Sequence, residues 1–109
     1  MPLREFSMAI LQIDQVRIGE FCKKWNVAEF AIFGSALRAD FQPDSDVDVL
    51  VTFKPNSKRS LFDLVQMEEE LEGMFGRKVD LVTRPGIEAS RNYLRRKAIL
   101  SSARVVYAA

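Results

Sequence analysis

The sequence contains no histidine and a single cysteine, Cys22. Without histidine the chain cannot supply a Ser-His-Asp triad, an imidazole general base, a His-ligated zinc or a haem held by a proximal His. One thiol makes neither an internal disulfide nor a multi-cysteine metal site, which favours a reducing compartment. No stretch approaches the ~20 consecutive apolar residues of a membrane span. Met1 to Gln12 lacks a charged segment followed by a long apolar one, so a secretory leader is not expected. The expectation is a cytoplasmic protein with no membrane partner. A strong charge of either sign is also missing, because 16 Lys and Arg stand against 15 Asp and Glu. That removes the simplest case for a nucleic-acid coat, and no direct nucleic-acid partner is expected. Acid–base or metal chemistry in this chain must rest on carboxylates.

What is present is ordinary globular material: 109 residues, 48% hydrophobic and 28% charged. This is enough for one core without staples. Residues 1–109 read as one domain, with 1–13 as an N-terminal arm or helical extension. Asp14 is a good N-cap for a helix to about Trp25, in which Ile18, Phe21, Cys22 and Trp25 share one face. Val27–Phe33 and Val47–Phe53 read as strands. Ser60 with Asp63 resembles a capping box opening a helix to about Met74, closed by Gly73 and Gly76. Its apolar positions are Leu61, Leu64, Val65, Met67, Leu71 and Met74. Lys78–Thr83 reads as a third strand, Arg84-Pro85-Gly86 as a turn, Ile87 to about Ser102 as a long helix and Val105–Tyr107 as a closing strand. The alternation predicts an α/β (α+β) domain on one mixed sheet of about four strands flanked by helices.

The informative residues are the acidic ones. Along a strand alternate side chains share a face. Val47, Val49 and Val51 therefore point one way and Asp46 and Asp48 the other, with α-carbons ~6.6 Å apart. Two anions held side by side repel unless the face is wet or a cation lies between them. Asp80, flanked by Val79 and Leu81, points away from the core of the third strand. If the two strands are neighbours, the three carboxylates meet on one surface and suit hard divalent ions. An Asp-x-Asp at a strand entrance is otherwise a solvated turn. An EF-hand fits Asp44, Asp46 and Asp48 but fails at Val49 and Pro55. A Walker loop is absent, and Gly73-Met74-Phe75-Gly76 reads as a helix end rather than a nucleic-acid clamp.

Upstream stands Gly34-Ser35 after a strand, then ten residues, then Asp46-Val47-Asp48. This G-S-x10-D-x-D pattern, with Arg38, Ser45 and Asp80 in support, resembles the signature of the DNA polymerase β-like nucleotidyltransferase superfamily. From the helix before Phe33-Gly34-Ser35 to Val105-Val106-Tyr107, the chain is similar to a minimal nucleotidyltransferase (MNT) domain, the partner of HEPN-domain ribonuclease toxins. It departs from that pattern at Ala39, where many members carry glycine.

The resemblance implies a polymerase β-like fold and a metal-dependent transfer of AMP from ATP. Asp46 and Asp48 would hold two Mg²⁺ ions, for which Mn²⁺ could substitute, and Asp80 would complete the acceptor-side site. Gly34, Ser35, Arg38 and Ser45 would bind the nucleotide. The implied acceptor is a hydroxyl, a tyrosine, on a cognate HEPN toxin in a hetero-oligomer, making the protein the antitoxin of a type VII toxin–antitoxin system. Nothing after the catalytic fold reads as an acceptor-gripping domain, which suits a protein acceptor bringing its own surface. Two alternatives stay open: a non-catalytic antitoxin that uses the fold as a scaffold, and a small-molecule nucleotidyltransferase. Between Arg84 and Arg104 six basic residues face only Glu88, while Asp40 to Glu72 holds nine acidic and three basic residues. Arg91, Arg95, Arg96 and Lys97 read as a solvated face, with partner docking or phosphate contact as the competing roles.

Overall fold

The computed structural model describes residues 14–34, 46–57 and 59–109. Helix α1 (Gln15–Trp25) is followed by β1 (Val27–Phe33), β2 (Val47–Phe53) and α2 (Leu61–Phe75). Then come β3 (Val79–Thr83), α3 (Arg84–Glu88), α4 (Tyr93–Ser102) and β4 (Arg104–Ala108). The four strands form one sheet in the order β3-β2-β1-β4. β1 is antiparallel to β2 and β4, and β2 is parallel to β3. The sheet is therefore mixed, as expected, and α2 is the crossover that a parallel pair requires.

Local chemistry sets most boundaries. The Asp14 carboxylate accepts from the backbone N–H groups of Val16 (3.0 Å) and Arg17 (3.2 Å), starting α1. Asn26, with φ of 57°, turns the chain out of the helix directly into β1. The Ser60–Asp63 capping box is complete, with Ser60 Oγ accepting from Asp63 N–H at 3.2 Å and Asp63 Oδ2 from Ser60 N–H at 3.1 Å. Gly76, with φ of 69°, ends α2. Gly73 lies inside the helix rather than closing it, since its φ is not left-handed and the turn carries on to Phe75.

The two faces of the sheet bury different sets of side chains. On one face Ile18, Phe21, Cys22 and Trp25 of α1 and Met67 and Leu71 of α2 pack on Val27, Phe30, Ile32, Val47, Val49, Val51 and Val79. A bulge between Val27 and Glu29 shifts the phase of β1, so odd-numbered Val27 and even-numbered Phe30 reach the same layer. On the other face Ile87 of α3 and Ile99 of α4 cover Ala31, Phe33 and Leu50. Leu61 and Val65, expected on the buried stripe of α2, are instead exposed at 81% and 56%, beside Phe62 at 77%. From the first turns of α2 only Leu64 packs against the core, and the buried positions Met67 and Leu71 lie further along.

The segment after β3 also differs from expectation. Arg84-Pro85-Gly86 is the first turn of α3, not a free turn, because Thr83 Oγ1 accepts from Gly86 N–H at 3.2 Å and proline is tolerated in a first turn. The long helix expected from Ile87 is broken at Ala89–Asn92. There Ser90 Oγ accepts from Asn92 N–H (3.2 Å) and Asn92 Oδ1 from Arg95 N–H (3.0 Å), so side chains replace helical carbonyls and a new helix begins. Among the described residues no helix is long and apolar enough to cross a membrane.

The outer edge of β3 is covered. Glu72 Oε2 accepts from Val79 N–H at 3.1 Å and Glu68 Oε2 from Leu81 N–H at 3.3 Å. These glutamates, one helical turn apart on α2, satisfy the edge amides on either side of Asp80. At the opposite end of β2, Arg59 donates through Nε (3.2 Å) and Nη2 (2.8 Å) to Trp25 O. Its guanidinium also lies over the Trp25 and Phe53 rings at 5.6 and 5.8 Å, tying the loop after β2 to α1.

Candidate active site

In the parallel pair of β2 and β3, Asp48 stands in register with Asp80, flanked by Val47 opposite Val79 and Val49 opposite Leu81. Those four apolar side chains belong to, or pack against, the α1–α2 core. Alternation therefore sends both aspartates to the opposite face of the sheet. Registered partners in a parallel pair share a face, so two anions are placed on neighbouring strands where an apolar pair would serve stability better. Val47 N–H donates to Lys78 O at 2.9 Å, which extends the ladder to the strand entrance and fixes this register.

Asp48 and Asp80 line a cavity of about 520 Å³ together with Phe33 and Gly34 from the end of β1 and Arg95, Ala98, Ile99 and Ser102 from α4. Its size is that of a small-molecule site. Gly34 has φ of +72°, a conformation that side chains seldom adopt. A Cβ built there would collide with Asp48 Oδ2 and lie 3.2 Å from Asp48 Cγ. The backbone at the end of β1 and the β2 carboxylate thus approach as closely as they do only because residue 34 is glycine.

The structure joins two of the three expected carboxylates. Asp46 is exposed at the entrance of β2, one residue before the paired ladder, and does not line the cavity. Among the described residues no three Asp, Glu, Cys or His side chains gather as a ready-made metal cage. The donor chemistry still suits a hard cation. Mg²⁺ is usually held by one or two carboxylates together with substrate phosphates rather than by an all-protein cage. Ser35, Arg38 and Ser45 lie outside the described residues.

The basic run on α4 is divided by the geometry. Arg96 donates through Nη1 to Ser90 O at 2.9 Å and lies over the Tyr93 ring at 5.4 Å, so it braces the start of the helix. Arg95 lines the cavity; Arg91 and Lys97 do not. Sequence reasoning weighed the four together and did not single out Arg95, nor did it mark Ala98 or Ser102. The spacing i, i+3, i+4, i+7 from Arg95 through Ala98 and Ile99 to Ser102 was the available signal.

Comparison with known proteins places the chain in a family. The nucleotidyltransferase domain model matches residues 17–106. A relative from Thermococcus cleftensis, the protein adenylyltransferase MntA, is 33% identical across 75% of this chain and 87% of its own. Among solved structures, a chain of a toxin–antitoxin crystal structure with AMP-PNP superposes with a TM-score of 0.68. It is 14% identical and covers 89% of this chain and 75% of that one. A chain from a Shewanella oneidensis complex of tri-AMPylated HEPN toxin with MNT antitoxin gives 0.62, at 14% identity over 91% and 73%. At that identity the structural likeness is one of fold. The family match spans both aspartate-bearing strands and the glycine turn, and by it the chain belongs to the nucleotidyltransferase domain family.

Proposed function

We propose that this protein transfers AMP from ATP to a hydroxyl, a tyrosine, of a HEPN-domain ribonuclease toxin and thereby acts as its antitoxin. The observation that carries the reading is the in-register pair Asp48–Asp80 on the wall of a nucleotide-sized cavity beside Gly34. The name of the Thermococcus relative and the AMPylated toxin in the Shewanella complex support the choice of reaction and acceptor. AMP-PNP in the related toxin–antitoxin crystal structure supports ATP as donor.

In the reaction the acceptor oxygen attacks the α-phosphorus of ATP and forms a new P–O bond. The bond between the α-phosphorus and the bridging oxygen breaks, its electron pair leaves with diphosphate, and the acceptor proton passes to a base or to solvent. Asp48 and Asp80, with Asp46 at the strand entrance, are the groups that would hold divalent cations, Mg²⁺ by preference. Such ions, when bound, neutralise the attacking and leaving oxygens. Asp80, on the outer strand, is assigned the acceptor side and draws the hydroxyl proton away. Gly34 lets the main chain come close to the phosphates, and Ser35, Arg38 and Ser45 keep the nucleotide-binding roles that the sequence resemblance implies. Phe33 and Ile99 give the cavity apolar walls.

The test is AMP transfer from α-labelled ATP to the purified toxin, comparing the native protein with Asp48→Asn. Labelled toxin with the native chain and none with Asp48→Asn is the expected result. Neutralisation of the toxin by both forms without label would replace transfer by binding alone.

A further inference from the structure

α4 turns a face with an unusual composition toward the carboxylate cavity. Ala98 and Ser102 are small, Ile99 is buried, and Arg95 is a long cation placed above two carboxylate-bearing strands. No ion pair within 4.0 Å joins Arg95 to Asp48 or Asp80 among the described residues. A guanidinium that shares a cavity with two anions and bonds to neither is placed for an anion that enters between them. The helix break at Ala89–Asn92 fixes this placement. The Asn92 cap, accepting from Arg95 N–H at 3.0 Å, sets the phase of α4 so that Arg95 faces the cavity and Arg96 turns back onto Ser90 and Tyr93.

We propose that Arg95 binds the diphosphate end of the nucleotide, its guanidinium contacting β- and γ-phosphate oxygens. This rests on the reading of the cavity as an ATP site. A planar guanidinium matches two phosphate oxygens at once and keeps its charge throughout the working pH range. The aspartates repel a polyanion, so a cation on the facing wall gives the triphosphate a direction: α-phosphate toward the carboxylates, diphosphate toward α4. As the bond to the leaving group breaks, charge grows on the diphosphate, and a guanidinium in contact with it stabilises that charge. Arg95 thus adds to the chain a phosphate contact on α4, separate from the glycine turn.

The experiment measures binding of ATP and AMP by calorimetry with Mg²⁺ for the native protein, Arg95→Ala, Arg95→Lys, and the neighbours Arg91→Ala and Lys97→Ala. For Arg95→Ala the ATP dissociation constant is expected to rise about 10- to 100-fold, as loss of a charge-assisted contact implies. AMP binding should change less than twofold. Arg95→Lys should recover part of the loss, and Arg91→Ala and Lys97→Ala should match the native protein. Unchanged ATP affinity in Arg95→Ala overturns the proposal, as does an equal loss for ATP and AMP, which would place Arg95 at the nucleoside. Failure of the native protein to bind ATP at all overturns the underlying reading of the cavity instead. Arg95 is exposed, and a thermal melt matching the native protein separates its effect from unfolding.

Discussion

Gly34 and Asp48 stand so close that residue 34 has no room for a side chain. The contact joins the end of β1 to the β2 carboxylate across an antiparallel pair in which Phe33 is Asp48's partner. Gly34→Ala must therefore adopt a left-handed conformation and displace Asp48 at once. Backbone conformation alone should cost about 1–2 kcal/mol. Urea unfolding is expected to record at least that loss, and transfer should fall with it. Native stability in this variant would mean that the turn can relax around a methyl group.

Asp80→Asn keeps the size of the side chain while removing its charge. ATP binding should persist through Asp48 and the glycine turn, and AMP transfer should fall on the order of 100-fold or more. Filter binding and the labelled-AMP assay, run on the same preparation, separate the two effects. Near-normal transfer would take Asp80 out of the reacting groups.

Glu68 and Glu72 hold β3 by its outer amides, and Asp80 sits between the two bonds. Replacing both by alanine should destabilise the fold by about 1–3 kcal/mol, since two edge amides lose their acceptors. Replacing both by glutamine retains a carbonyl acceptor and should restore most of the loss. If the alanine pair unfolds at the native urea concentration, the edge amides are satisfied by water.

Cys22 is buried in the α1 core, and desolvation pushes its thiol up from 9.0 to about 12. The folded chain therefore keeps its proton more firmly than the unfolded chain does. The associated stability is full below pH 9.0 and is lost as pH rises from there toward 12. Denaturant midpoints should fall over that window in the native protein and less so in Cys22→Ala. At neutral pH a thiol reagent should label Cys22 only as fast as the chain opens.

The parts of the molecule most readable in the sequence were those governed by local chemistry. Asp14, Ser60 and Gly76 mark helix ends by side-chain or left-handed caps, and the Val-rich run of β2 has no competing helical period. The alternation around Asp48 and Asp80 pointed each away from the core, and their meeting on one face follows from the pairing of β2 with β3. Long-range geometry was not readable. The exposure of Leu61, Phe62 and Val65 depends on how α2 is seated on the sheet. The helix break at Ser90 and Asn92 was not readable either, because it rests on side-chain hydrogen bonds in a segment without glycine or proline. Within the basic run, the i, i+4 spacing to Ile99 separates Arg95 from Arg96, which turns back onto Ser90 and Tyr93.

The parallel pairing of β2 and β3 bears on when the protein can act during its own synthesis. Parallel neighbours cannot be joined by a hairpin, so Asp48 meets Asp80 only after the whole of α2 has formed and crossed the sheet. The wall carrying Arg95 and Ser102 arrives later still, with α4. A nascent chain that has exposed only β1 and β2 holds half of an anionic pair and an open cavity. The paired carboxylates, whose mutual repulsion would oppose collapse, come together as Val79 and Leu81 of the same strand join the apolar layer beneath them. A ribosome-stalled or truncated chain that stops before Thr83 should therefore be catalytically silent, and the onset of activity reports closure of the entire sheet.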